Sequence, residues 1–153
     1  LATAKEASVK TSHQGLQLLI DREAKRNRAY LDSKGIPTIG VGHTGPEVHL
    51  GLVWSDEQVE RTFAKDIARF EKAINDSLRV CIPQHAFDAL VSWLFNVGTG
   101  WAPKATLMRK INEGDMNGAA AEFDKWHIPP EVTTRRNGER EQFKGTAFEA
   151  RIA

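Results

Sequence analysis

The sequence predicts an α+β fold with a small N-terminal lobe built on an antiparallel hairpin, one long connecting helix, and a helical C-terminal lobe. Three observations lead there. Residues 28–41 pair strand-like runs with turn chemistry. Val59, Phe63, Ile67, Phe70, Ile74 and Leu78 then step by three or four along one unbroken stretch. From Pro83 onward the chain reads almost entirely helical, punctuated by Pro and Gly.

In order, Thr11 and Gln14 have the spacing of a capping box. Leu16, Leu19, Ile20 and Glu23 follow at helical intervals, which predicts a first helix over about residues 12–25. Arg28–Leu31 and Pro37–Val41 are strand candidates, joined by the turn residues Asp32-Ser33-Lys34-Gly35. Ser55 and Gln58 form a second capping box, opening the long amphipathic helix. Phe87–Val97 is apolar nearly all round and stops at Gly98, as suits a central helix. Shorter helices are expected at about 104–113, 116–125 and 134–144, separated by Pro103, Gly114 and Pro129-Pro130. The whole chain, 1–153, is thus expected to form a single domain: a small lobe at about 12–55, the connecting helix at about 56–78, and the helical lobe at about 80–153.

Composition narrows the function classes. With 41% apolar and 27% charged residues the chain belongs with soluble globular proteins, and it contains no apolar run of the ~18 residues that would suggest a membrane span. No stable membrane insertion is expected. The chain begins at Leu1, not Met, and its first dozen residues lack the features of a secretory signal, which leaves open an upstream export or anchor segment. A lone Cys81 rules out an internal disulfide framework and is expected to be a small buried apolar residue. Five histidines show neither H-E-x-x-H nor any paired ligand spacing, so neither metal nor cofactor is expected. Net charge is +1, but Arg22, Lys25, Arg26 and Arg28 cluster early, and Arg135, Arg136, Arg140, Lys144 and Arg151 late. Solvated helix faces explain these clusters more simply than attraction to an anionic envelope, and no nucleic-acid-binding signature accompanies them.

Chemistry concentrates between Glu23 and Thr44. A helix ending after Glu23 and a hairpin turn at Asp32 would bring two carboxylates to one edge, and glycoside hydrolysis needs such a pair. Thr38 on the returning strand could bond a water held by Asp32, while Gly40 and Gly42 let the backbone pass close to its neighbours. Spacing alone is weak: with 20 acidic residues among 153, an acid nine positions after a given Glu occurs by chance about once in eight, which favours plain surface carboxylates. Gly40-Val-Gly-His-Thr-Gly45 spells a dinucleotide-binding fingerprint, but Pro46 interrupts it and no β-α units follow.

The wider pattern is more specific. Glu23, Asp32, Thr38 and Ile39-Gly-Val-Gly-His-Thr44 resemble the catalytic segment of phage-type lysozymes (endolysins). The similarity continues in Gln84-x-x-Phe87-x-Ala-Leu-Val-Ser-Trp-Leu-Phe-Asn-Val-Gly98, in Thr106-Leu-Met-Arg-Lys-Ile-Asn-Glu-Gly-Asp115 and in Arg135-Arg-x-x-Glu139-Arg140. It covers nearly the whole chain after about Gly15 and implies a lysozyme-like fold with its cleft between two lobes. By this resemblance Glu23 is the general acid, Asp32 the base or stabilising carboxylate, and Thr38 the residue that helps place water. His43 and Asp66 are implied to form a structural salt bridge. Arg136 matches the position whose guanidinium approaches the catalytic Glu, and Asn96 a segment lining the sugar cleft. One departure stands out, since the family typically has Gly after the catalytic Glu and this chain has Ala24.

The implied activity is hydrolysis, preferably with inversion, of the β-1,4 bond between N-acetylmuramic acid and N-acetylglucosamine, leading to host lysis. Bacterial peptidoglycan is the implied partner and no nucleic acid is. A monomer is expected, made in the host cytoplasm and acting on the periplasmic wall. Two other classes compete. A non-catalytic wall-binding module would be expected to lack one of Glu23, Asp32 or Thr38, and a lytic transglycosylase would need only a single acid. For Trp101 and Trp126, packing is favoured over sugar stacking.

Overall fold

A computed structural model describes residues 8–146, so Leu1, Arg151 and the end of the expected helical lobe lie outside the described residues. Helix α1 (His13–Glu23) leads into strand β1 (Lys25–Leu31), a turn, and β2 (Pro37–Val41). Among the described residues five more α-helices follow: α2 (Asp56–Ser77), α3 (Gln84–Val97), α4 (Thr106–Asn112), α5 (Met116–Glu122) and α6 (Thr133–Lys144). Among the described residues the strands form one two-stranded antiparallel sheet, so the fold is α+β with a helical C-terminal region. The chain divides into two compact units, Leu16–Arg69 and, among the described residues, 8–15 with 70–146.

The sheet-bearing unit rests on the hairpin. Tyr30 pairs with Thr38 and Leu31 with Pro37, a bulge falls between Arg26 and Tyr30, and Arg26 pairs with Gly40. Strand β1 is longer than the sequence predicts because Lys25–Asn27 carry no strand-forming side chains. They are extended by pairing, and by the bond from Trp54 N to Asn27 O (2.7 Å). Past β2, Ile39 and His43 exchange backbone bonds of 2.9 Å around Gly40-Val41-Gly42. That reversal needs φ of +66° at Gly40 and +62° at Gly42, which is what the glycines supply in place of a nucleotide loop. Ala29, Ile39 and Val48 form a small core with Leu52 and Trp54 against it.

Helix α2 starts as its sequence requires. Ser55 N donates to Gln58 Oε1 (2.9 Å) and Gln58 N to Ser55 Oγ (3.2 Å), a reciprocal capping box. Helix α1 corrects the expectation, because Ser12, not Thr11, is its cap: Gly15 N donates to Ser12 Oγ at 3.1 Å. Thr11 is diverted by Glu71, whose Oε2 accepts from Thr11 N (2.6 Å) and Oγ1 (2.8 Å).

In the helical unit α3 is buried from Ala86 to Leu94 and packs along α6, while α4 packs on α5. Phe87, Leu90, Leu94, Leu107, Ile111 and Phe123 are fully buried, each stabilising by about 1.5–3 kcal/mol. The chain start is tied to this unit. Ser12 N donates to Asp88 Oδ1 (3.0 Å), Ser12 Oγ to Asp88 Oδ2, and Val9 N to Asn75 Oδ1 (2.9 Å). Cys81 contradicts its expectation: it is exposed, on the loop between α2 and α3.

Gly15 generates a prediction. A Cβ there would sit 2.5 Å from Asp88 Cγ, and Asp88 is itself buried and bonded to Ser12 and Gln84. Gly15→Ala gains about 1 kcal/mol of helix propensity but forces this network apart at about 1–3 kcal/mol. Thermal unfolding should show a net loss of midpoint; a rise would mean that Asp88 can move aside freely.

Candidate active site

Glu23, Asp32 and Thr38 all belong to the unit Leu16–Arg69, and each sits at an element boundary or pairing position. Glu23 is the last residue of α1, and one residue, Ala24, separates it from β1. To make that switch Ala24 adopts φ +64°, the left-handed region, while its N–H still closes the helix on Ile20 O at 2.7 Å. For a residue with a Cβ this conformation costs about 1–2 kcal/mol.

Asp32 opens the hairpin turn, and its two carboxylate oxygens differ in employment. Oδ1 accepts from Lys34 N and Ile36 N, both at 2.8 Å, which locks the turn as an Asx-type reversal. Oδ2 is not used by the turn. Thr38 is nearly buried and its Oγ1 donates to Ile36 O at 2.8 Å. The hydroxyl proton is therefore committed, and toward a water the oxygen acts as an acceptor.

Tyr30 brings the two carboxylates into one electrostatic neighbourhood. It stands two residues before Asp32 and faces Thr38 in the sheet register. Burial, then the charges of Glu23 and Asp32, push its hydroxyl above the ordinary phenol range, against the pull of Arg26. The Arg26 guanidinium lies 4.5 Å from the Tyr30 ring centroid, a cation–π contact. Sequence reasoning counted Arg26 only within a basic cluster and passed over Tyr30; their i,i+4 spacing was the local signal.

In the same unit His43 bridges two carboxylates. Its Nδ1 lies 2.7 Å from Asp66 Oδ2 on α2, its Nε2 2.7 Å from Glu47 Oε1, and the Trp54 ring packs 5.5 Å away. Arg69 adds a longer contact to Asp66 at 3.7 Å. Burial pulls the imidazole pKa down, but the bonds and charges of Glu47 and Asp66 outweigh it and the net shift is upward. Glu47, four residues beyond His43, is the partner that sequence reasoning left out.

Asn96 and Arg136 belong to the other unit and meet there. Arg136 is 1% exposed; Nη1 donates to Glu139 Oε1 (2.5 Å), Nε to Trp126 O (2.9 Å), and Nη2 to Asn96 Oδ1. Glu139, fully buried, also accepts from Ser92 Oγ (2.6 Å) and Arg135 Nε (3.0 Å). Asn96 itself is exposed, so its carbonyl end is fixed by Arg136 and its Nδ2 donor is left outward. Among the described residues no group of three or more His, Cys, Asp or Glu could hold a metal ion, and no helix is long and apolar enough to cross a membrane.

Comparison with known proteins places these residues in context. A family model described as phage lysozyme matches residues 21–139. The chain is similar to the endolysin of Salmonella phage P22, 36% identical over 140 residues that cover 86% of this chain and 96% of that one. It is also 38% identical over 121 residues to the endolysin of Bacillus phage B103, covering 76% of this chain but spanning only 45% of that longer relative. Among solved structures, the endolysin from Escherichia coli O157:H7 phage FAHEc1 superposes with a TM-score of 0.82 at 28% identity, covering 91% of this chain and 96% of that one.

Two stability predictions follow from this geometry. Ala24→Gly removes the left-handed penalty, less the backbone entropy of glycine, and should raise the unfolding midpoint by roughly 2 °C; a lowered midpoint would show that Ala24 is not strained. For His43→Asn the sign depends on pH. The histidine contribution is complete below its unfolded value of 6.5 and is lost as pH rises through the elevated folded value. Glu47, held below its ordinary 4.5 by the His43 bond, contributes above that value and loses its share as pH falls. The midpoint deficit of His43→Asn should therefore be largest near pH ~5.5, at roughly 5 °C, and smaller at pH ~8.5. A deficit that grows with pH would overturn the charged-bridge account.

Proposed function

We propose, from the premise that this chain belongs to the phage lysozyme family, that Glu23 is the acid, Asp32 the base and Thr38 the water-positioning residue of a peptidoglycan hydrolase. The protein is an endolysin, a lysozyme that degrades the bacterial cell wall. It cleaves the β-1,4 bond between N-acetylmuramic acid and N-acetylglucosamine. One observation supports the assignment: Glu23 ends α1 a single residue before the hairpin whose turn holds Asp32 and whose second strand holds Thr38, and the charges of both carboxylates bear on Tyr30 between them.

In the reaction the Glu23 carboxyl protonates the glycosidic oxygen as the bond to the anomeric carbon breaks. A water donates one proton to Asp32 Oδ2, the oxygen the turn leaves free, and the other to Thr38 Oγ1, whose own proton is committed to Ile36 O. Both water protons are then held, and its lone pair points at the oxocarbenium-like carbon. Attack from the face opposite Glu23 gives inversion, and Asp32 takes the proton released. Arg136 acts through Asn96, whose Nδ2 is presented to an N-acetyl carbonyl. The enzyme works as a monomer, without nucleic acid, after synthesis in the host cytoplasm.

Glu23→Gln removes the proton donor with little change of volume and should cut turnover of purified peptidoglycan by at least ~10²-fold at an unchanged unfolding midpoint. Mass spectrometry of wild-type fragments should find reducing muropeptides. Anhydro-sugars would identify a lytic transglycosylase instead, and near-normal turnover by Glu23→Gln would remove Glu23 from its role.

A further inference from the structure

Three tryptophans in the helical unit form a ladder from core to surface. Trp93 is fully buried, Trp126 packs edge-on against it at 5.3 Å, and Trp101 packs edge-on against Trp126 at 4.9 Å, with 45% of Trp101 exposed. The edge-to-face contacts hold this exposed indole in one orientation. Beside it lies an open pocket of about 340 Å³ lined by Trp101, Lys104, Thr106, Glu122, Lys125 and Trp126.

Charge around this pocket is positive. Glu122, almost buried, is neutralised by Lys125 (2.6 Å) and Lys110 (3.4 Å). Lys104 makes no side-chain hydrogen bond or ion pair among the described residues. An ammonium group is thus available at the rim of an aromatic face, and the Thr106 hydroxyl is exposed beside it. Trp126 O also accepts from Arg136, which holds Asn96. The platform therefore shares its backbone with the network that presents the Asn96 amide.

We propose that this pocket is an additional glycan subsite, in which the Trp101 face stacks on the C–H face of an N-acetylated amino sugar and Lys104 pairs with a carboxylate carried by that sugar or its peptide. The inference rests on the peptidoglycan reading above and deepens it, naming an acidic amino-sugar strand over a neutral one. An aromatic face alone would accept any pyranose; the unpaired ammonium supplies the discrimination.

The test uses the Glu23→Gln protein with two probes, soluble uncrosslinked peptidoglycan strands and neutral N-acetylglucosamine tetramer, followed by the indole N–H resonances and by calorimetry. Resonances of Trp101 and Trp126 should shift with the acidic strands. Added to this background, Trp101→Ala should weaken their binding about 3- to 10-fold, Trp101→Phe should retain most of it, and Lys104→Gln should erase the preference for acidic over neutral probe. Unchanged affinity in Trp101→Ala and Lys104→Gln, or equal affinity of the parent for both probes, would overturn the subsite. The two readings fail separately. A wild-type protein that cleaves no peptidoglycan sinks the hydrolase, whereas one that cleaves normally while Trp101→Ala binds as its parent does sinks only the subsite.

Discussion

The site depends on one backbone conformation. Between the last residue of α1 and the first of β1 there is room for a single residue, and the chain can change from helix to strand there only by entering the left-handed region. That residue is Ala24, an alanine where glycine would be free of strain. Because Glu23 immediately precedes it, the carboxylate stands at the helix end, and the hairpin it leads into sets Tyr30 opposite Thr38 with Asp32 bonded into the turn between them. Strain of this kind persists only where surrounding structure over-determines it. Here the surrounding bonds are Ala24 N to Ile20 O on one side and the β1–β2 ladder on the other.

The helical unit solves a different problem, that of burying charge. Arg136 and Glu139 are both withdrawn from water, and a pair of buried ions is tolerated only when nearly every donor and acceptor is met. Ser92, Arg135, Trp126 O and Asn96 meet them. Stranding either partner would cost about 3–5 kcal/mol, far more than an exposed pair is worth. The network's outward product is the orientation of Asn96, so a core interaction sets the direction of a surface amide.

Much of this was legible in the sequence. The long helix, the central buried helix and the hairpin announced themselves through apolar period and turn residues, and the Ser55–Gln58 capping box was correct to the residue. Thr11 misled because a capping box is a local pattern. Its hydroxyl was taken by Glu71, 60 positions away, and Ser12 took the cap. Cys81 was misplaced for a related reason: small apolar residues are usually buried, but this one falls on the loop between two helices, where it is exposed. Tyr30 and the role of Arg26 beside it were not found, since strand register and a bulge decide what they face, and Glu47 was passed over although it stands four residues beyond His43.

The anchoring of the first helix has a bearing on synthesis. Val9, Thr11 and Ser12 bond to Asn75, Glu71 and Asp88, which lie 60 to 76 residues later in the chain. As the chain leaves the ribosome at about 5–20 residues per second, those partners emerge seconds after the helix has been made. Until then the helix has its Ser12 cap and its own hydrogen bonds, but nothing of the later chain to hold its start. The segment that carries Glu23 therefore gains these attachments only after a further 60 to 76 residues have been added, well after its own helix is made.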